Sequence, residues 1–201
     1  HKEMVRISCI WAQTLVPPVI TTTLYFVIFG ELLGAQLRNI HGFTYMQYIV
    51  PGLVISNMIA NAYMNTVSSF YAARFQRSIE EILVSPMPNY TLLLGYVLSS
   101  IMRSLMTGAL VLLIALFFTE LHIHSWFLVI FVGVLASAIF AVAGFINGMY
   151  AKGFDDISWV PTFIITPLSY LGGVFYALEM LPPFWQKVSM LNPVMYIIDS
   201  F

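Results

Sequence analysis

The chain has 201 residues, 60% of them hydrophobic and only 8% charged, with a formal net charge of −1 and a mean hydropathy of +0.87. That composition excludes an ordinary soluble domain, because its apolar runs of about 20 residues match the length a helix needs to cross ~30 Å of hydrocarbon. Near-zero net charge argues against nucleic acid as a partner, the alternation of a membrane β-barrel is missing, and the single Cys9 rules out an intrachain disulfide.

The expected fold is all-α: a polytopic helical membrane protein with about five spans, forming one domain over residues 1–201. In chain order the spans are predicted at Thr14–Gly30, Tyr45–Val67, Leu92–Thr119, Trp126–Tyr150 and Ile157–Leu178, after an amphipathic N-terminal stretch of 13 or so residues. The first span lies too late, and carries too many Pro and Thr residues, to be a cleaved signal peptide. The second carries Asn57, Asn61 and Asn65 at i, i+4, i+8. Amides are costly in lipid, so this stripe must meet protein or water, either as helix–helix hydrogen bonds or as the lining of a transport path. On the path reading Thr21, Thr22 and Thr23 of the first span and Thr162 and Thr166 of the fifth join it, although hydroxyls in membrane helices usually bond their own backbone. In the fourth span Gly133, Ser137, Ala141, Gly144 and Gly148 place small residues about one turn apart, which predicts close helix packing. Pro161 and Pro167 predict a kink or a gating hinge in the fifth.

Between the second and third spans lies a charged island, Arg74–Pro86. Read as a helix, it puts Phe75, Ile79, Ile82 and Leu83 on one apolar stripe and Arg77, Glu80 and Glu81 on the other faces. Such a helix has no core of its own, so it rests on the membrane surface or docks into a groove on another protein. Lys2, Arg6, Arg74, Arg77 and Lys152 fall on one side of the membrane against Arg38 and Lys187 on the other, which makes the N-terminus and the island cytoplasmic. At the far end residues 179–200 are apolar but broken by Pro182, Pro183 and Pro193. Short helices at or dipping into the outer interface are expected there, with Trp185 and Tyr196 in the aromatic belt. The chain is read as a fragment.

Three segments, in order, resemble the membrane subunit of type-2 ABC exporters, a group that includes drug, polysaccharide and lipid-linked glycan exporters. Arg77-Ser-Ile-Glu-Glu-Ile-Leu-Val-Ser-Pro86 resembles that family's coupling helix, with Glu80 at the place of its usual Glu six residues before Pro. Tyr170-Leu-Gly-Gly-Val-Phe-Tyr176 resembles the end of its fifth helix, and Leu181–Tyr196 its outer re-entrant segment. The resemblance is closest to small bacterial permeases of the inner membrane with a separate ATPase. It implies a coupling helix at 74–86, a sixth helix beyond Phe201, pairing with a second copy of the permease, and docking of an ABC-type ATP-binding subunit through Phe75, Arg77, Ile79, Glu80, Glu81 and Leu83. ATP and Mg would then belong to the partner, and this chain would hold no cofactor. Membrane lipid would surround it.

No Gly-x-x-x-x-Gly-Lys-Ser/Thr occurs, so the energy source must lie in another chain. The alternative class is an intramembrane enzyme. Glu120-Leu-His-Ile-His124 offers metal-ligand types and Asp155-Asp156 paired carboxylates, but His122 and His124 stand at i, i+2, which on a helix points the rings apart. A loop role or a helix N-cap explains the two aspartates as well. A passive channel would need a ring of charge or a carbonyl filter motif, and neither is visible. Sidedness is directly testable: with Cys9 replaced, cysteines at Asn89 and His122 should react oppositely with an impermeant thiol reagent in intact cells. Labelling of position 89 from outside would overturn the orientation.

Overall fold

A computed structural model of the protein describes residues 11–28, 45–76, 79, 88–119, 126–174 and 182–199. All regular structure among them is helical: α1 Trp11–Tyr25, α2 Tyr45–Phe75, α3 Asn89–Phe118, α4 Trp126–Tyr150, α5 Phe154–Val160, a π-helical stretch Pro161–Ile165, α6 Thr166–Leu171, α7 Pro183–Met190 and α8 Pro193–Asp199. By length and composition α4, and α3 from Tyr90 to Phe118, can each cross a membrane, whereas Val16–Ile28 forms a shorter apolar helix.

The predicted fourth span coincides with α4, but α2 runs past Val67 to Phe75 and so takes in Arg74 and Phe75 from the predicted island. Its continuation has a packing cause: Ser69, Phe70 and Tyr71 are buried against neighbouring helices. Pro88 opens α3 as its N-cap, where a residue without an N–H costs nothing. In the fifth predicted span, the prolines bracketing Pro161–Ile165 supply no N–H, and the backbone widens instead of breaking. The Thr166 N–H bonds the Pro161 carbonyl, and Thr166 Oγ1 donates to the same oxygen at 2.9 Å.

α2 is the central post, with α4 on one flank and α3 on another. The small-residue face of α4 makes the first contact possible. Gly133, Ser137, Ala141, Gly144 and Gly148 are all buried, and a Cβ on Gly144 would lie 2.6 Å from the Tyr63 carbonyl oxygen. Backbone cannot retreat as a side-chain tip can, so only glycine fits. The opposite face of α4 exposes Phe127, Phe131, Leu135, Ile139 and Ile146, an apolar surface suited to lipid.

The 182–199 stretch folds back onto this bundle. Asn192 caps α8, its Oδ1 accepting from the Val194 N–H at 3.0 Å, while its Nδ2 donates to the Leu168 carbonyl near the end of α6. Val194 is fully buried among Ile55, Ile59 and Ile165, whereas Trp185, Leu191 and Tyr196 are exposed. Gly144→Val should insert side-chain bulk into the α2–α4 contact and destabilise the folded permease by about 1–3 kcal/mol. Thermal unfolding of the detergent-purified protein measures this, with Gly153→Ala as control, since a Cβ there meets nothing within 4 Å.

Candidate transport cleft and partner-facing end

Where α1, α2 and α6 converge they leave a cleft of about 160 Å³, lined by Thr21 and Tyr25 of α1, Ser56 and Asn57 of α2, and Thr166, Ser169 and Tyr170 of α6, among others. Gly52 lets α2 approach the far wall closely, since a Cβ there would lie 2.8 Å from the Val174 Cα. The polar groups have a shared bias. Ser56 Oγ donates to the Gly52 carbonyl at 2.7 Å, Asn57 Nδ2 to the Leu53 carbonyl at 2.8 Å, and Thr166 Oγ1 to Pro161. Each of these hydrogens goes to the chain's own backbone, which leaves oxygen lone pairs on Ser56 and Thr166, and Oδ1 with the second Nδ2 hydrogen on Asn57, as what these groups can offer a solute. Tyr25 and Tyr170 are hydrogen-bonded to each other beside them.

The predicted path residues therefore separate. Asn57 and Thr166 meet at the cleft. Thr22 points the other way: it is fully buried and its Oγ1 has no hydrogen-bond partner, while its neighbour Thr21 reaches the cleft. Asn61 is half-buried and donates to the Asn57 carbonyl at 3.0 Å. Asn65 belongs to a relay between α2 and α3. Arg103 Nη1 donates to Asn65 Oδ1 at 2.6 Å, Asn65 Nδ2 donates to Ser100 Oγ at 2.9 Å, Ser100 and Thr66 share a 2.6 Å bond, and Thr66 Oγ1 donates to the Ala62 carbonyl. A guanidinium only donates and Thr66 has spent its hydrogen, so every bond in the relay points from Arg103 toward Ala62. For Asn65 the helix–helix reading applies. The lining also takes in Tyr25, Ser56, Ser169 and Tyr170, which the sequence does not mark as path residues. Ser56 beside Asn57, and Tyr170 at the head of the resembling segment, were the available signals.

At the other end of α2, Phe75 is 68% exposed but Ile79 only 9%, packed against Phe70 and Tyr96 with Phe145 nearby. The predicted stripe thus does not present one face: Ile79 turns into this chain's own core. Arg77, Glu80, Glu81 and Leu83 lie outside the described residues, as do Glu120, His122 and His124 of the enzyme reading. Its other half is accounted for by capping. Asp156 Oδ2 accepts from the Lys152 N–H at 2.8 Å and the Gly153 N–H at 3.2 Å, holding the turn into α5. Among the described residues no cluster of His, Cys, Asp and Glu is suited to a metal ion.

With this geometry in place, comparison with known proteins gives a match to the family described as ABC-2 type transporter over residues 1–201. The chain belongs to the ABC-2 type transporter family. It is 56% identical over 200 residues to the inner membrane transport permease YadH of Escherichia coli strain K12, covering all of this chain and 78% of that protein. Nodulation protein J of Sinorhizobium fredii strain NGR234 is 27% identical over 182 residues, covering 89% of this chain and 68% of its own length. No solved structure matches. Membership in this family makes the chain a membrane subunit for transport rather than a catalytic enzyme. The two asparagines should then part company on substitution. Asn65→Leu leaves Arg103 and Ser100 short of a partner and should cost about 1–2 kcal/mol of stability, whereas Asn57→Leu, whose amide bonds only its own helix, should cost little. Thermal denaturation of the two purified variants separates them.

Proposed function

We propose that this chain is the transmembrane half of an ATP-driven exporter, which pairs with a second copy of itself and docks separate ATP-binding subunits on the side that carries residues 74–86. The observation that carries this reading is the family match along the whole chain, 1–201, in a sequence that lacks any nucleotide-binding signature of its own. Similarity to a named transport permease of an inner membrane agrees with it. On this reading the bundle has about five spans, α5, the π-helical stretch and α6 together forming the last, with α7 and α8 as an outer re-entrant hairpin. Residues 1–201 form one permease domain with a cytoplasmic N-terminus in a bacterial inner membrane.

The cleft between α1, α2 and α6 supplies part of the substrate path, with Asn57 and Thr166 among its polar groups. Phe75 is the apolar anchor left exposed for the partner, Arg77, Glu80, Glu81 and Leu83 complete the contact, and Ile79 braces the island from inside. ATP and Mg belong to the partner subunit, which does the hydrolysis.

A tagged copy of the permease should bring down an ATP-binding protein from membranes of its own cell. Glu80→Ala should leave insertion intact, since the contact lies outside lipid, yet weaken that copurification or uncouple ATP hydrolysis from transport. Unchanged copurification together with unchanged transport in Glu80→Ala would sink the docking assignment, and absence of any ATP-binding protein with the unmutated chain would sink the exporter reading itself.

A further inference from the structure

The root of the island is held to the bundle at two separate places. Ile79 fills a socket made by Phe70 of α2 and Tyr96 of α3, with Phe145 of α4 beside it, and the Phe70 ring meets Tyr96 edge-on at 5.7 Å. The second place lies one turn earlier. Arg74 Nη1 donates to the Met149 carbonyl at 2.7 Å and to the Ala151 carbonyl at 3.2 Å. These are carbonyls at the C-terminal end of α4, where orphan acceptors and the negative end of the helix dipole favour a cation. A basic residue of the same helix commonly does this; here the cation comes from α2, at the residue before the island's exposed Phe75.

Aromatic contacts continue the link. Tyr71 meets Phe154 edge-on at 4.9 Å, Phe75 stacks along Tyr71 at 6.4 Å, and Phe75 and Phe154 lie 5.8 Å apart. Phe154 is the first residue of α5, and the turn before it is fixed by the Asp156 carboxylate. From Phe154 the chain stays helical through the wide turn Pro161–Ile165 into α6, which carries Thr166, Ser169 and Tyr170 to the cleft.

We infer that Arg74 is a positioning residue that transmits movement of the island to the cleft, by gripping the end of α4 and, with Tyr71 and Phe75, the start of α5. The inference rests on the reading in which the island meets an ATP-binding subunit. Without the grip the island would act chiefly on its Ile79 socket, which touches α2, α3 and α4 but not α5 or α6, the segment that carries Thr166, Ser169 and Tyr170 to the cleft. The wide turn is where α5 can yield, because its bonds already depart from the α pattern.

The test uses the permease copurified with its ATP-binding partner in lipid nanodiscs. It reads ATP hydrolysis together with hydrogen–deuterium exchange over 154–171, nucleotide-free and trapped with ATP and vanadate. In the unmutated complex, trapping should change exchange across that segment. Arg74→Ala should retain partner binding and ATP hydrolysis yet lose this change, and Arg74→Lys, which keeps one charged donor, should restore part of it. A merely structural cap would lower stability without separating hydrolysis from the exchange response, so an equal response in Arg74→Ala overturns the inference. If Arg74→Ala does not accumulate, Phe154→Leu replaces it: a weakened response supports the link and an unaltered one overturns it. A complex whose unmutated form shows no partner or no nucleotide response overturns the exporter reading as well, and does so before any substitution is made.

Discussion

The Tyr63 carbonyl oxygen sits where a side chain at residue 144 would begin, and the assembly of the bundle depends on that approach. In a membrane, burying one apolar side chain against another gains little over burying it against lipid, so helices associate through close packing and hydrogen bonds. α4 supplies the packing by removing its side chains along one face, and α3 supplies hydrogen bonds through Ser100 and Arg103. α2 lies between them, and its buried residues extend from Tyr45 to Tyr71. With that post fixed, α1 and α6 are left to enclose a cleft against its remaining face.

Polar groups in this bundle are sorted by whether their hydrogens are already committed. Along the α2–α3 seam the bonds run one way from a guanidinium to a backbone carbonyl, a closed arrangement that locks two helices together. At the cleft, the hydroxyl hydrogens of Ser56 and Thr166 and one amide hydrogen of Asn57 turn back onto nearby backbone carbonyls. The first arrangement joins two helices, and the second lines an open cleft.

Much of the helical layout was legible because apolar length is a strong signal: α4 ends where the sequence places it. The end of α2 is less legible, since Arg74 belongs by its charge to a water-facing island. In the fold Ser69 is buried and Arg74 reaches the end of a neighbouring helix. The asparagine stripe was read as one face. A step of four residues turns an α-helix about 40° beyond a full circle, so Asn65 lies roughly 80° around from Asn57 and meets α3 instead of the cleft. Ile79 fitted the apolar period of the island, but periodicity gives the face of a helix without naming what covers it. Here its cover is Phe70 and Tyr96.

The unequal apolarity of the helices has a consequence for how the protein is made. α2 is the most enclosed of the long helices, yet on length and apolar composition it is α3 and α4 that qualify among the described residues to enter lipid unaided. Ribosomes deliver α2 before either of them, so its amides emerge ahead of Ser100 and its contact surface ahead of Gly144. Entering lipid at that moment would leave Asn65 without the Ser100 hydroxyl and the Arg103 guanidinium that it bonds in the fold. The seam between α2 and α3 can therefore close only after both helices have been synthesised, which ties completion of the α2 face to the chain that follows it.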